Sequence, residues 1–216
     1  MKNISVELFI ATSCHHCPTI LNEFSSLVKN GKIASLNVTN IAVENTRATE
    51  LNIRSVPWFS LSTDDAFMIF NGQHSEKEIN EIVDNCQSNL AMQVYIIEQL
   101  SSGQMMLVNQ AIKISPNMFS HVVTLLENEE TSMDIRIGLD ALTEMFENTE
   151  MLQEYAERFK EIISGNVVRL QIDALHYLAL TGDVKHKDFI SKKMIDKNKQ
   201  IKEAAMEACE TLMDFN

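Results

Sequence analysis

Two cysteines three positions apart, Cys14 and Cys17, stand where an apolar, β-rich run meets the start of an amphipathic helix. The segment is Phe9-Ile10-Ala11-Thr12-Ser13-Cys14-His15-His16-Cys17-Pro18. This placement narrows the fold more than any other feature of the chain. A Cys-x-x-Cys at a strand-to-helix junction within a βαβ unit reads as a redox pair, whereas zinc sites bring a second ligand pair from elsewhere. Four consecutive residues, Cys14 to Cys17, cannot wrap one tetrahedral ion, and the sequence offers no second pair, so no metal site is expected. If the helix starts at Cys14, the unpaired N–H groups and dipole of its first turn favour the Cys14 thiolate. Cys17, one turn in, is then the shielded resolving thiol.

The residues around this motif alternate between strand and helix signals. Residues 4–11 read as a strand. In 17–30, Ile20, Leu21, Phe24, Leu27 and Val28 fall on one helical face, and Asn30-Gly31 stops the helix. A strand over 33–38 and a short helix over 45–52 follow. Strands over 57–61 and 67–70 form a hairpin around Thr63-Asp64-Asp65. Ser75 with Glu78 three residues on is a capping box that opens another helix. The order β-α-β-α-β-β-α predicts a four-stranded mixed sheet with helices on both faces.

Past about Asp84 the strand signals stop. Amphipathic helices are predicted over 90–100, 118–126, 133–146, 151–163, 167–180, 189–195 and 201–213. Six glycines and three prolines, with twelve methionines, suit so helical a chain. An internal repeat lies within it. Ile135-Arg136 leads to Asp140-Ala141-Leu142, and Val168-Arg169 leads to Asp173-Ala174-Leu175, an offset of 33 residues. A further 33 residues reaches the more degenerate Ile201-Lys202. That period, with two helices per unit, marks an all-α, HEAT-like solenoid. The expected division is 1–86 for the α/β domain, 87–104 for a helical linker and 105–216 for the repeats.

The net charge of −12 repels phosphate backbones and anionic lipid, so neither nucleic acid nor membrane is an expected partner. The N-terminal run is broken by Glu7 and lacks a signal-peptide core, so a cytoplasmic setting is expected. No Gly-rich dinucleotide fingerprint occurs. No bound cofactor is expected, and electrons must come from a separate reductase. Val56-Pro57, at the start of a strand some forty residues after the cysteines, suggests a cis peptide beside them. Such a proline leaves the Val56 backbone free to pair with a substrate strand.

With ELFIATSCHHCP, SVPWF and FNGQHSEKEINEIV in place, the first 85 or so residues resemble the thioredoxin/glutaredoxin superfamily. They are especially similar to the N-terminal thioredoxin-like module of the bacterial peroxiredoxin-reducing flavoprotein. The resemblance implies a thiol–disulfide oxidoreductase with Cys14 as nucleophile, Cys17 as resolving cysteine and Pro57 as cis-proline. It departs from thioredoxin proper in Ser13, where that family has Trp, and in the two histidines between the cysteines. His15 and His16 are either solvated turn residues or donors that stabilise the Cys14 thiolate. His16 resembles the disulfide-isomerase pattern. Glu7 is either a carboxylate at an exposed strand end or, as thioredoxins place one, a buried acid relaying the Cys17 proton. Of Trp58 and Phe59, Phe59 is the expected core residue and Trp58 the one bordering a substrate groove. Two readings of function follow. One is an enzyme whose helical repeats dock a protein client. The other is a protein-binding scaffold or redox-sensing adaptor in which the thioredoxin-like module is not a turnover catalyst. Instead of docking a client, the repeats could also only stabilise the fold or form a homodimer.

Overall fold

The computed structural model describes residues 2–215. It divides into two compact units, Met1–His121 and Val122–Asn216.

The first unit opens with β1 (Ser5–Ile10), α1 (Cys17–Lys29), β2 (Ser35–Asn40), α2 (Thr46–Glu50), β3 (Trp58–Ser62), β4 (Phe67–Asn71) and α3 (Glu76–Asn85). The sheet order is β2-β1-β3-β4. β1 runs parallel to β2, with Ser5 opposite Ser35, and antiparallel to β3, with Phe9 opposite Trp58. β4 returns antiparallel to β3. This is the thioredoxin-like α/β fold that the element order predicts. Its chain direction follows the sequence signals closely. α1 ends at the Asn30 cap followed by Gly31 at φ +71°, a left-handed conformation that glycine adopts without a Cβ clash. The Ser75–Glu78 capping box forms with both reciprocal hydrogen bonds and starts α3.

Strand alternation sorts the two sheet faces. Leu8 pairs with Phe59, and Phe59 meets Phe24 of α1 with ring centroids 5.1 Å apart, so Val6, Leu8 and Phe59 face α1 and α3. Glu7, Phe9 and Trp58 face the other way. Ile4, Leu8, Ile20, Phe24, Phe59, Leu61 and Ile69 are fully buried and form the core around the sheet.

Two more helices belong to this unit, α4 (Ala91–Ser101) and α5 (Met105–Ile114). The stretch 87–104, expected as a linker, is therefore packed structure. Tyr95 of α4 is 2% exposed, and its hydroxyl both donates to the Ile69 carbonyl (2.9 Å) and accepts from the Ile69 N–H (3.2 Å). These are outward-pointing groups of the edge strand β4, which would otherwise be unpaired. The sequence pattern does not reveal α5. It is nonetheless amphipathic: Leu107, Val108, Ala111 and Ile112 are buried on one face, and Met106 and Lys113 are exposed on the other.

The division between the units falls within α6 (Phe119–Glu127) rather than at 104/105. The second unit continues with α7 (Met133–Glu144), α8 (Glu150–Gln153), α9 (Ala156–Ile163), α10 (Val168–Leu180), α11 (Lys187–Ser191) and α12 (Lys199–Asp214). The single helix expected over 151–163 is broken at Glu154-Tyr155 into α8 and α9. The repeated segments lie on α7 and α10, and α10 packs against α9 and α12. Arg136, 2% exposed, reaches from the first copy to Asp173 of the second at 2.9 Å. It also donates to the carbonyls of Leu126 and Asn128. Arg169 finds a different partner, the Glu129 carbonyl. Among the described residues, no helix is long and apolar enough to cross a membrane.

Candidate active site

The site is built at the C-terminal end of β1. The strand ends at Ile10, and Ala11 to Ser13 form a turn closed by the Cys14 N–H on the Ala11 carbonyl at 3.1 Å. Cys14 and Cys17 are joined in a disulfide with Cα atoms 5.5 Å apart. Cys14 is half-buried, while Cys17 is 3% exposed. One sulfur can be approached and the other is shielded.

The helix does not begin at Cys14. α1 starts at Cys17, with His16 as its N-cap and Pro18 in the first turn. The physical reason is Pro18. A helix capped at Cys14 would need the N–H of residue 18 for its first hydrogen bond, and proline has none. The first turn of α1 still reaches Cys14, through the backbone of another residue. The Cys17 N–H, one of the first-turn donors without an intrahelical partner, donates to Cys14 Sγ at 3.1 Å. The helix terminus thus addresses the accessible sulfur from one turn away.

Pro57 comes to the same end of the sheet through β3. Trp58 pairs with Phe9, which sets Pro57 just beyond that pair, opposite the end of β1. The Val56–Pro57 peptide is cis, Pro57 is buried, and its carbonyl accepts from the Gly72 N–H at 2.9 Å. Val56 is half-buried. Trp58 is 3% exposed and meets Phe9 edge-on at 5.4 Å, on the sheet face away from α1. Phe59 is core, as expected.

Glu7 is not brought to the cysteines. One residue from Leu8, it points to the opposite face of the sheet from α1, where Arg47 Nε of α2 lies 3.5 Å from its carboxylate. Strand parity places Leu8, not Glu7, behind the cysteine-bearing helix. His15 and His16 are both exposed, and neither imidazole has a hydrogen-bond partner among the described residues. His16 borders a groove of about 520 Å³ with Thr19 and the segment Gln73 to Lys77. That segment includes His74, whose Nδ1 lies 3.2 Å from the Gly72 carbonyl and whose ring packs edge-on against Phe59. Its place at the groove has no sequence signal beyond the Asn71-Gly72 turn.

The other cysteines stand apart. Cys86 is buried and unpaired, and burial pushes its thiol up to about 12. Burial also raises the Cys209 thiol. No group of three or more His, Cys, Asp or Glu side chains converges in a metal-binding arrangement among the described residues.

No protein-family model matches the sequence, and no curated protein matches it. Among solved structures the chain is similar to chloroplastic thioredoxin z, at 16% identity with a TM-score of 0.36. The match covers 40% of this chain and 80% of that one. The fold assignment rests on the strand order, strand directions and helix placement described above.

Proposed function

We propose that this protein is a thiol–disulfide oxidoreductase acting on a protein client. The observation that carries the reading is the Cys14–Cys17 disulfide itself, with an approachable sulfur on one side and a buried one on the other, at a helix start beside a cis-proline.

In the reduced protein, the Cys14 thiolate attacks one sulfur of a client disulfide. The client S–S bond breaks, and its other sulfur leaves as a thiolate that takes up a proton. A mixed disulfide now joins Cys14 to the client. Cys17 loses its proton and attacks Cys14 Sγ, which releases the second client thiolate. The client has gained two electrons, and Cys14 and Cys17 are again joined in a disulfide. A separate reductase must return those electrons, by the same exchange in reverse. His15 and His16 lie between the two cysteines in sequence and act, in this reading, as donors to the Cys14 thiolate. Val56 offers its backbone to an extended client segment.

The helical unit, read as HEAT-like repeats, docks the client. A solenoid surface of repeated helix faces suits protein binding, and its acidic excess favours a client with a neutral or basic patch. The setting that fits a reductant supplied by another protein is the cytoplasm.

The test is trapping. Cys17→Ser leaves the mixed disulfide unresolved, and mass spectrometry of the trapped species identifies the client. The reading requires adducts that form through Cys14 and vanish in Cys14→Ser. It also requires wild-type protein to reduce insulin when a chemical reductant is supplied. Absence of either sinks it.

A further inference from the structure

On the sheet face away from α1, the chain encloses a cavity of about 610 Å³ between the α2–β3 connection and α5. This falls in the range of small-ligand sites. The nucleophile and the cysteine-bearing helix are not part of it. Its wall includes Arg54, Ser55 and Trp58, which bracket the Val56–Pro57 peptide in sequence, and Asn109 and Lys113 of α5.

Three properties of the wall converge. First, Asn109 is 4% exposed, and its Oδ1 has no hydrogen-bond partner among the described residues. A buried acceptor left in that state costs free energy that an entering donor recovers. Second, Arg54 and Lys113 are exposed cations with no anionic partner among the described residues, although the chain carries a net charge of −12. The carboxylate in the wall, Glu50, is already engaged by Arg47 at 3.4 Å. Third, Trp58, Leu51 and Leu107 supply apolar surface between these polar points.

We propose that this cavity binds an acidic peptide segment. An apolar side chain rests against Trp58 and Leu107, a peptide group pairs with the Asn109 amide, and a neighbouring carboxylate meets Arg54 and Lys113. The continuity with Val56 points to a segment of the client itself: a strand paired with Val56 runs on past Ser55 and Arg54 into the cavity. That last step rests on the redox reading; the binding site does not.

The experiment therefore uses no thiol chemistry. The chain has one tryptophan, Trp58, so its fluorescence reports on the cavity directly. The oxidised full-length protein is titrated with the cysteine-free peptides acetyl-Gly-Leu-Asp-Gly-amide and acetyl-Gly-Leu-Asn-Gly-amide. The Asp peptide should shift the fluorescence saturably and bind about tenfold more tightly than the Asn peptide. Arg54→Ala with Lys113→Ala, both at exposed positions, should abolish that preference while leaving the Asn peptide unchanged. Asn109→Leu should weaken both peptides alike. No saturable shift with either peptide, or equal binding of the two, overturns the proposal. Failure of the insulin assay alone would remove the redox reading and leave this titration as it stands.

Discussion

The backbone N–H of Cys17 donates to Cys14 Sγ at 3.1 Å, so the buried half of the disulfide supplies a hydrogen-bond donor to the approachable half. A donor aimed at a sulfur favours its ionised form, and this one also stands at the positive end of α1. An ordinary thiol of pKa about 8.5 is only about 3% ionised at pH 7. Reduced protein treated with iodoacetamide should therefore show one fast thiol, Cys14, at pH 6.5. Peptide mapping should find it alkylated several-fold faster than glutathione. A rate no faster than glutathione would show that the N–H does not act on the thiolate.

The two histidines bear on the same charge. If they donate to the Cys14 thiolate, they stabilise the reduced form. Removing them destabilises that form and makes the disulfide harder to reduce. The double variant His15→Gly, His16→Pro should then have a midpoint potential about 30 mV more negative, which corresponds to about 1.4 kcal/mol for a two-electron couple. A midpoint equal to or less negative than wild type would return both to solvated turn residues.

Cys86 should behave in the opposite way to Cys14. Burial raises its pKa to about 12, so the thiolate population stays small as pH rises through 8 and 9. Native protein labelled across that range should leave Cys86 unmodified, and labelling should appear only with denaturant. Modification of Cys86 in the folded chain at pH 8 would contradict its burial.

Tyr95→Phe removes one oxygen and leaves both the N–H and the C=O of Ile69 without a partner. Each buried group left unsatisfied costs about 1–3 kcal/mol, so the variant should lose at least about 2 kcal/mol in urea unfolding of the first unit. Because the ring is retained, packing loss contributes little. A change below about 0.5 kcal/mol would mean that water reaches the edge of β4.

Asp173→Ala takes away the carboxylate facing the buried Arg136. Breaking a fully buried pair costs about 3–5 kcal/mol, but Asp173 is 23% exposed and two carbonyls still hold the guanidinium. The expected loss is about 2 kcal/mol, read by thermal or urea unfolding of the second unit. Asp140→Ala in the same assay reports the equivalent position of the first copy, where the acceptor serves Tyr177 instead.

Much of the first unit was legible because its signals are local. The cysteine spacing, the Asn30-Gly31 stop, the Ser75–Glu78 box and the hairpin turn each fix one junction, and the strand order follows from their sequence. What escaped depends on parity or on long-range packing. Glu7 and Leu8 differ by one position, which on a strand is the difference between two faces, and β1 carries apolar residues on both. The helix start moved from Cys14 to Cys17 because one missing N–H, that of Pro18, outweighs the pattern around it. The helix over 90–100 is legible in the sequence, but its packing on β4 is not, because a contact such as Tyr95 to Ile69 spans 26 residues and leaves no local signal. α5 has no counterpart among the predicted helices. The cavity beside α5 was therefore invisible until that helix was in place.

The hydroxyl of Tyr95 on Ile69 has a consequence for assembly. With the middle of β4 already satisfied, β2 is the other edge strand among the described residues, and Ser35, Asn37 and Val38 there are exposed. A sheet with one receptive edge cannot propagate. Two copies that met through β2 would exhaust their valence on each other, and growth would stop at the pair.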